Sequence, residues 1–331
     1  MKLKDALLWP LALPYGAAVR LRAEAYRKGI FREQRLDGVV ISVGNLTTGG
    51  TGKTPMVLWI AERLMAEGEK PGILTRGYRG QTSPEGTTSD EVQMLKARLG
   101  DSAAFGVGAD RLACGRELAG RGIRWFLLDD GFQHLQIARD VDIVLIDATH
   151  PFGGGHLLPA GRLREPRRAL ERADIIVITR SRNAPAVEAA IQRDSSAPVF
   201  YARPRLDSVR SLRGGYPGND DFEARERKFY AFCGIGNPSA FLADLRGWGF
   251  QVVGHKFFPD HHRYTQQDVR EIQVQARQAG AEGALCTEKD VFNLPGAPSD
   301  ECGAWYCRIS LEVGRQDEFW QAIMTATETR A

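Results

Sequence analysis

Lys53 and Thr54 follow a loop made almost entirely of glycine and threonine: Gly44-Asn45-Leu46-Thr47-Thr48-Gly49-Gly50-Thr51-Gly52. Glycines let backbone N–H groups converge on an anion, and a helix that starts just after them adds its positive end. A lysine at that point reaches β- and γ-phosphates, and the neighbouring hydroxyl suits Mg²⁺. Residues 39–43 read as a buried β-branched strand, and Val57, Leu58, Ile60 and Leu64 give the following segment a helical apolar face. Strand, Gly-rich loop, Gly-Lys-Thr and helix in that order form a P-loop, so the chain is expected to bind a nucleoside triphosphate. The usual loop begins with glycine where this chain has Thr47. A glycine-rich turn that merely contains Lys-Thr is the alternative.

Two acidic pairs could serve such a site. Asp129 and Asp130 end the apolar run 125–128, the arrangement in which an aspartate at a strand end holds Mg²⁺. Asp90 and Glu91 follow a polar loop and open a helical pattern at Val92, Leu95 and Leu99. An aspartate in that position is ordinarily a helix N-cap. Asp260-His261-His262 reads as a surface turn or as a metal site of the phosphoesterase kind. A long basic loop near residues 150–170 carries Arg162, Arg164, Arg167 and Arg168 where open α/β sheets bind ligands.

The elements that must position these groups follow from the alternation of apolar runs and helical patterns. Strands are expected at 72–75, 125–128, 141–147, 174–179, 284–287 and 304–309, with helices after Asp90, over 239–246, after a Thr265/Asp268 capping box, and over 319–326. The fold class is α/β: a P-loop NTPase core with a mostly parallel sheet plus a second, smaller α/β domain. The divisions are an N-terminal segment 1–35, a core 36–210, a linker or hairpin 211–227, and a smaller domain 228–331.

A length of 331 residues with 43% apolar content supports a real core, and a formal charge of +3 is too small to argue for nucleic acid. Five scattered cysteines without CxxC suggest a reducing compartment and no structural metal. Residues 6–19 are uncharged but too short, with Pro10 and Pro14, to span a bilayer. They precede a basic stretch, and Trp9 and Tyr15 suit an interfacial anchor on anionic headgroups. A helix packed on the core and a signal peptide are the alternatives.

Seven motifs, GNLTTGGTGKTP, TRGYRG, DDGFQH, LPAGRLREP, GIGNP, FPDHH and TEKD, occur in this order between residues 44 and 290. As a set they make the chain resemble the tetraacyldisaccharide 4′-kinase family. The resemblance implies ATP- and Mg²⁺-dependent phosphorylation of the 4′-hydroxyl of a tetraacylated glucosamine disaccharide at the cytoplasmic face of the inner membrane. It implies no obligate protein partner. Nucleotide and sugar headgroup would meet between the two domains. It further implies that Thr47, Thr48, Gly49, Gly50, Thr51, Gly52, Lys53 and Thr54 bind phosphates, and that Thr54, Asp129 and Asp130 serve the metal. Asp90 and His261 would form the catalytic pair. Arg76, Tyr78, Glu91, Gln133, His134, Arg164 and Glu165 would support substrate or nucleotide. The chain departs from the family pattern at Ser89, Val92 and Arg162, where glycine, proline and an apolar residue are usual.

Two readings of other classes share the same core. One is a P-loop switch GTPase or ATPase acting through a partner, which the missing Asn-Lys-x-Asp disfavours, since Thr287-Glu288-Lys289-Asp290 places its lysine one position late. The other is a soluble metabolite kinase with a merely packed N-terminus.

Overall fold

The computed structural model describes residues 3–77, 81–83, 86–213, 216–221, 223–295 and 303–330. The chain begins with α1 (Leu3–Arg27), then β1 (Val39–Asn45), α2 (Lys53–Ala66), β2 (Pro71–Thr75) and a small hairpin of β3 (Gln81–Ser83) and β4 (Gly86–Thr88). Next come α3 (Asp90–Leu99), β5 (Ala104–Val107), α4 (Arg111–Gly120), β6 (Trp125–Asp129), β7 (Val141–Asp147), β8 (Ile175–Thr179) and α5 (Pro185–Ile191). The second half runs β9 (Val199–Ser211), β10 (Asn219–Asp220), β11 (Lys228–Cys233), α6 (Pro238–Gly247), β12 (Gln251–Phe257) and α7 (Gln266–Gln278). It closes with β13 (Gly283–Thr287), α8 (Glu288–Val291), β14 (Ala304–Val313) and α9 (Gln316–Arg330).

One sheet passes through both halves in the order β12-β11-β13-β14-β9-β8-β7-β1-β6-β2-β5. Its ladders are parallel except where β9 meets β14 and the short β10. Parallel strands are covered by helices on both faces, which is why 141–147 and 175–179 read as unbroken apolar runs and are buried throughout. β1 lies between β6 and β7, with Val43 opposite Asp129, so the strand that feeds the P-loop sits beside the strand that carries the acidic pair.

The strand pairings bear on two of the expected divisions. The 211–227 stretch is partly a hairpin, because β10 folds back on the end of β9. The C-terminal helix, expected with the smaller domain, packs into the first half. β14 runs back along the whole of β9 and delivers the chain there. Phe319 and Ile323 of α9 are fully buried in the core built by α2, α3 and β1, and Trp59 of α2 lies against Phe319 and Trp320. Burying one such aromatic stabilises by about 1.5–3 kcal/mol, enough to fix where the helix docks.

The prolines of α1 do not interrupt it. Pro10 and Pro14 are four apart, so their missing N–H groups and displaced carbonyls fall on one stripe, and both residues are exposed. The opposite face packs: Gly16 lies against Leu157, and the Tyr15 hydroxyl donates to the Arg164 carbonyl at 2.9 Å. Leu8, Trp9, Leu11, Leu13 and Leu21 remain exposed. Among the described residues no helix is long and apolar enough to cross a membrane.

Candidate active site

The loop between β1 and α2 is held by its neighbours before any ligand arrives. Asn45 Nδ2 donates to Thr51 Oγ1 at 2.8 Å, Thr179 Oγ1 donates to the Thr51 carbonyl at 3.0 Å, and Thr48 N donates to the Arg162 carbonyl at 2.8 Å. Thr47 bridges to Leu163, so the position that lacks the usual glycine is a buried contact rather than a free turn. Gly49 (φ 121°) and Gly52 (φ 91°) take the left-handed region that other residues avoid. A Cβ on Gly49 would also strike the Arg162 guanidinium. Arg162, a departure from the family pattern, therefore lies directly on the loop.

Lys53 is the first residue of α2, and its Nζ is 3.6 Å from Asp130 Oδ1. Arg164 grips the same carboxylate with two bonds of 2.7 Å and also donates to Asn45 Oδ1. Burial opposes a charge on Asp130, yet Lys53, Arg164 and Arg111 together hold its carboxyl well below the usual range. Asp129 has the opposite fate. Full burial first, then Glu91 and Asp130, push it up to about 7 against the pull of Lys53 and Arg111. Its Oδ1 is buried with no hydrogen-bond partner among the described residues. That is an unusual and costly state for a carboxylate oxygen unless a cation or donor arrives with the ligand.

Across a cavity of about 860 Å³ stands the second cluster. His261 Nδ1 is 3.1 and 3.0 Å from the two oxygens of Asp90, 171 residues away in sequence. The hydroxyl of Ser89, not the Asp90 carboxylate, takes the cap bond from Val92 N, at 3.4 Å. That frees the Asp90 side chain for His261 and for Asn293, whose Nδ2 donates to Oδ2 at 2.9 Å. His261 itself sits at φ 60° with its N–H bonded to the Gly234 carbonyl at 2.9 Å, a left-handed turn that aims the ring at Asp90. Burial raises the Asp90 pKa, but His261, Lys289 and Asn293 outweigh it and the net shift is downward. The Asp90 hydrogen bond raises the His261 pKa against burial and Lys289.

The structure sorts the remaining expected residues. Arg76, Glu91, Gln133, His134 and Arg164 line the cavity. Tyr78 lies outside the described residues. Glu165 is absent from the cavity wall: it is buried, paired to Arg172 by two bonds of 2.9 Å, and accepts from Gln133 at 3.1 Å, so it braces the loop rather than meeting a ligand. Burial, then Arg111, Arg139 and Arg22, depress His134 to about 4, so its ring is neutral near pH 7. Sequence reasoning passed over Arg111, which is buried and donates to the carbonyls of Asp129 and Asp130 at 3.1 and 3.2 Å. It also passed over Asn293 and the Arg180–Asp244 pair at 2.6 Å that ties β8 to α6. No motif marks these; only the fold brings them in. Among the described residues no group of three or more His, Cys, Asp or Glu could hold a metal.

A phosphate-cradling loop, a lysine at its helix start, an acid-bearing neighbour strand and an acid–base pair across the cavity define a P-loop kinase. The model of tetraacyldisaccharide-1-P 4′-kinase matches residues 4–328. The chain is 42% identical to the tetraacyldisaccharide 4′-kinase of Geobacter metallireducens over 94% of both chains, and 36% identical to that of Desulfotalea psychrophila over 89% and 90%. A crystal structure of the "apo" form of LpxK from Aquifex aeolicus, in complex with ATP, superposes with a TM-score of 0.73 at 25% identity, covering 98% of this chain and 100% of that one. The chain belongs to the tetraacyldisaccharide 4′-kinase family.

Proposed function

We propose that the enzyme transfers the γ-phosphoryl group of ATP to the 4′-hydroxyl of a tetraacylated glucosamine disaccharide 1-phosphate, a lipid A precursor, forming lipid IVA. The observation that carries this reading is the Asp90–His261 pair, held at 3.0–3.1 Å, with His261 lining the cavity across from the P-loop and Asp90 buried behind it. An alcohol is a poor nucleophile until its proton has an acceptor. Asp90, kept ionised by its neighbours, accepts that proton, and His261 fixes the carboxylate and disperses the charge. Residues 47–54 enclose the phosphates, and Lys53 offsets charge that builds on the transferred group. Asp129, whose buried Oδ1 has no partner among the described residues, and Thr54 both line the cavity and suit a hard cation, so these two would hold Mg²⁺. When bound, the ion neutralises phosphate charge. Arg164 fixes the Asp130 carboxylate, and Arg111 fixes the Asp129 and Asp130 carbonyls, beside this point.

The same reading places the enzyme at the cytoplasmic face of the inner membrane, resting on it by α1. Support comes from the exposed Leu8, Trp9, Leu11, Leu13 and Leu21 on a helix whose other face is pinned to the loop after β7 by Tyr15 and Gly16. Apolar side chains beside Arg20, Arg22, Arg27 and Lys28 suit burial among anionic headgroups.

Mass spectrometry of the disaccharide lipid after incubation with enzyme, ATP and Mg²⁺ tests the reaction. The expected product is one phosphoryl group heavier and appears only with ATP. An unmodified lipid alongside a phosphorylated soluble sugar would replace the lipid with a small metabolite. For α1, flotation with anionic liposomes should carry the full chain upward and leave a chain lacking residues 1–30 behind. Equal behaviour of the two would remove the membrane role.

A further inference from the structure

The Thr287-Glu288-Lys289-Asp290 stretch has no part in the reaction as described, yet each of its last three side chains grips a different piece of the site. Asp290 accepts from Gly234 N at 2.7 Å and from the Tyr264 hydroxyl at 2.8 Å, fixing the two loops that flank His261. Glu288 meets Arg98 of α3 in an ion pair whose side chains are 3% and 4% exposed. Lys289 lies between them and faces three carboxylates: Glu91 at 3.1 Å, and Asp90 and Asp260 each at 3.9 Å. Asp260 in turn stands 3.8 Å from His261 Nε2. Apart from His261, Lys289 is the cation within 4 Å of Asp90 among the described residues.

We propose that Lys289 is a positioning residue for phosphoryl transfer: it offsets the Asp90, Glu91 and Asp260 carboxylates, so that Asp90 stays ionised and in reach of His261. The proposal rests on the reading of Asp90 as the base. The geometry favours this over a scaffold role. A lysine needed only to join α8 to α3 has Glu91 for a partner, and the Arg98–Glu288 pair already makes that junction two turns along the same face of α3. Three acids crowded around one point repel, and without a cation the cheapest relief is a proton on one of them. Asp90, only 5% exposed, is the one least able to turn to water instead. Asn293 and Glu91 N donate to Asp90 but carry no charge, so they cannot replace the lysine.

The test is the pH profile of kcat for Lys289→Met, Lys289→Arg and Asp90→Asn, each with KM for ATP. A base works only when deprotonated, so activity is lost as pH falls through its pKa. Removing a cation raises that pKa. Lys289→Met should therefore move the acidic limb up by about one pH unit or more, since an opposite charge at this range shifts a carboxyl by about 1–3 units. Its plateau should fall about tenfold or more as the dyad loosens, with KM for ATP changed by less than about twofold. Lys289→Arg should leave the limb in place, and adding Asp260→Asn to Lys289→Met should move it part of the way back. Should Lys289→Met not fold, Asp260→Asn alone decides: with one competing acid gone, the limb should move to lower pH.

An unmoved limb with near wild-type kcat in Lys289→Met overturns the proposal. So does a raised KM for ATP with the limb unmoved, which would make Lys289 a nucleotide ligand. If Asp90→Asn kills turnover in the same series, either of those results fells this proposal alone. If Asp90→Asn turns over normally, the base reading falls and this proposal with it.

Discussion

At the P-loop end of the cavity, the loop is hydrogen-bonded by residues of the first half of the chain. Asn45 bonds to Thr51, Thr179 holds the Thr51 carbonyl, and Lys53 opens the helix that follows. At the acid–base end nothing is local. Asp90 and Glu91 on α3 meet His261, Lys289 and Asn293, and every one of those contacts crosses from the first half of the chain to the second. The first end uses backbone geometry that glycines permit, and the second uses side-chain charge. The hydrogen bonds that shape the loop therefore lie within one half, whereas the Asp90–His261 pair is complete only when the halves are in register. A few residues hold that register: Arg98 with Glu288, Arg180 with Asp244, and Gly236, whose Cα packs so near Gly50 N that an added Cβ would come within 2.5 Å of it.

The largest effect should come from the P-loop end. Lys53→Ala removes the fixed cation opposite the transferred phosphate and should cut kcat by about 10³-fold or more. Because Lys53 contacts the second half nowhere that is described, melting temperature should barely move. A variant with near wild-type turnover would sink the P-loop assignment.

At the other end, stability and activity should fall together. Arg98→Met leaves Glu288 buried with the Tyr216 hydroxyl as its remaining donor, at 3.1 Å. Breaking a buried pair by removing one partner costs about 3–5 kcal/mol. Urea unfolding should show a loss of that size, and kcat should fall with little change in ATP affinity, since the P-loop is untouched. Unchanged stability would mean that the pair does not hold the register.

The pH dependence of stability gives the smallest effect and the finest view. His261 has a raised pKa, so its contribution is full below the ordinary histidine value of about 6.5 and fades as pH climbs through the raised one. Asp90 has a lowered pKa, so its contribution is full above about 3.9 and fades as pH falls through the lowered one. Together they stabilise most between about pH 4 and 6.5. The gap in melting temperature between wild type and His261→Ala should be widest there and narrow on both sides. A gap independent of pH would mean that the two groups share no charge interaction.

The same contrast explains what could be read from residues alone. The P-loop was legible because its chemistry needs contiguous residues, and Asp129 because strand-end acids follow apolar runs. Asp90 and His261 were named together only through a family resemblance. Neither Ser89 as the cap that frees Asp90, nor Asn293 as its third partner, leaves a local trace. Glu165 was named with Arg164 through the same resemblance, and its pairing with Arg172 is set by the fold. The destination of α9 was hidden for a like reason: its partner Trp59 lies about 260 residues earlier.

The most direct test of the account is a double-mutant cycle on Asp90→Ala and His261→Ala, with kcat, ATP affinity and melting temperature measured for each single variant and the pair. If the two act as one unit, either substitution should lower kcat by about 10²–10⁴-fold, and the double variant should be scarcely worse than the poorer single one. ATP affinity should hold throughout. Losses that multiply in full, or a lowered melting temperature with turnover preserved, would contradict the dyad and return Asp90 to a structural role at the start of α3.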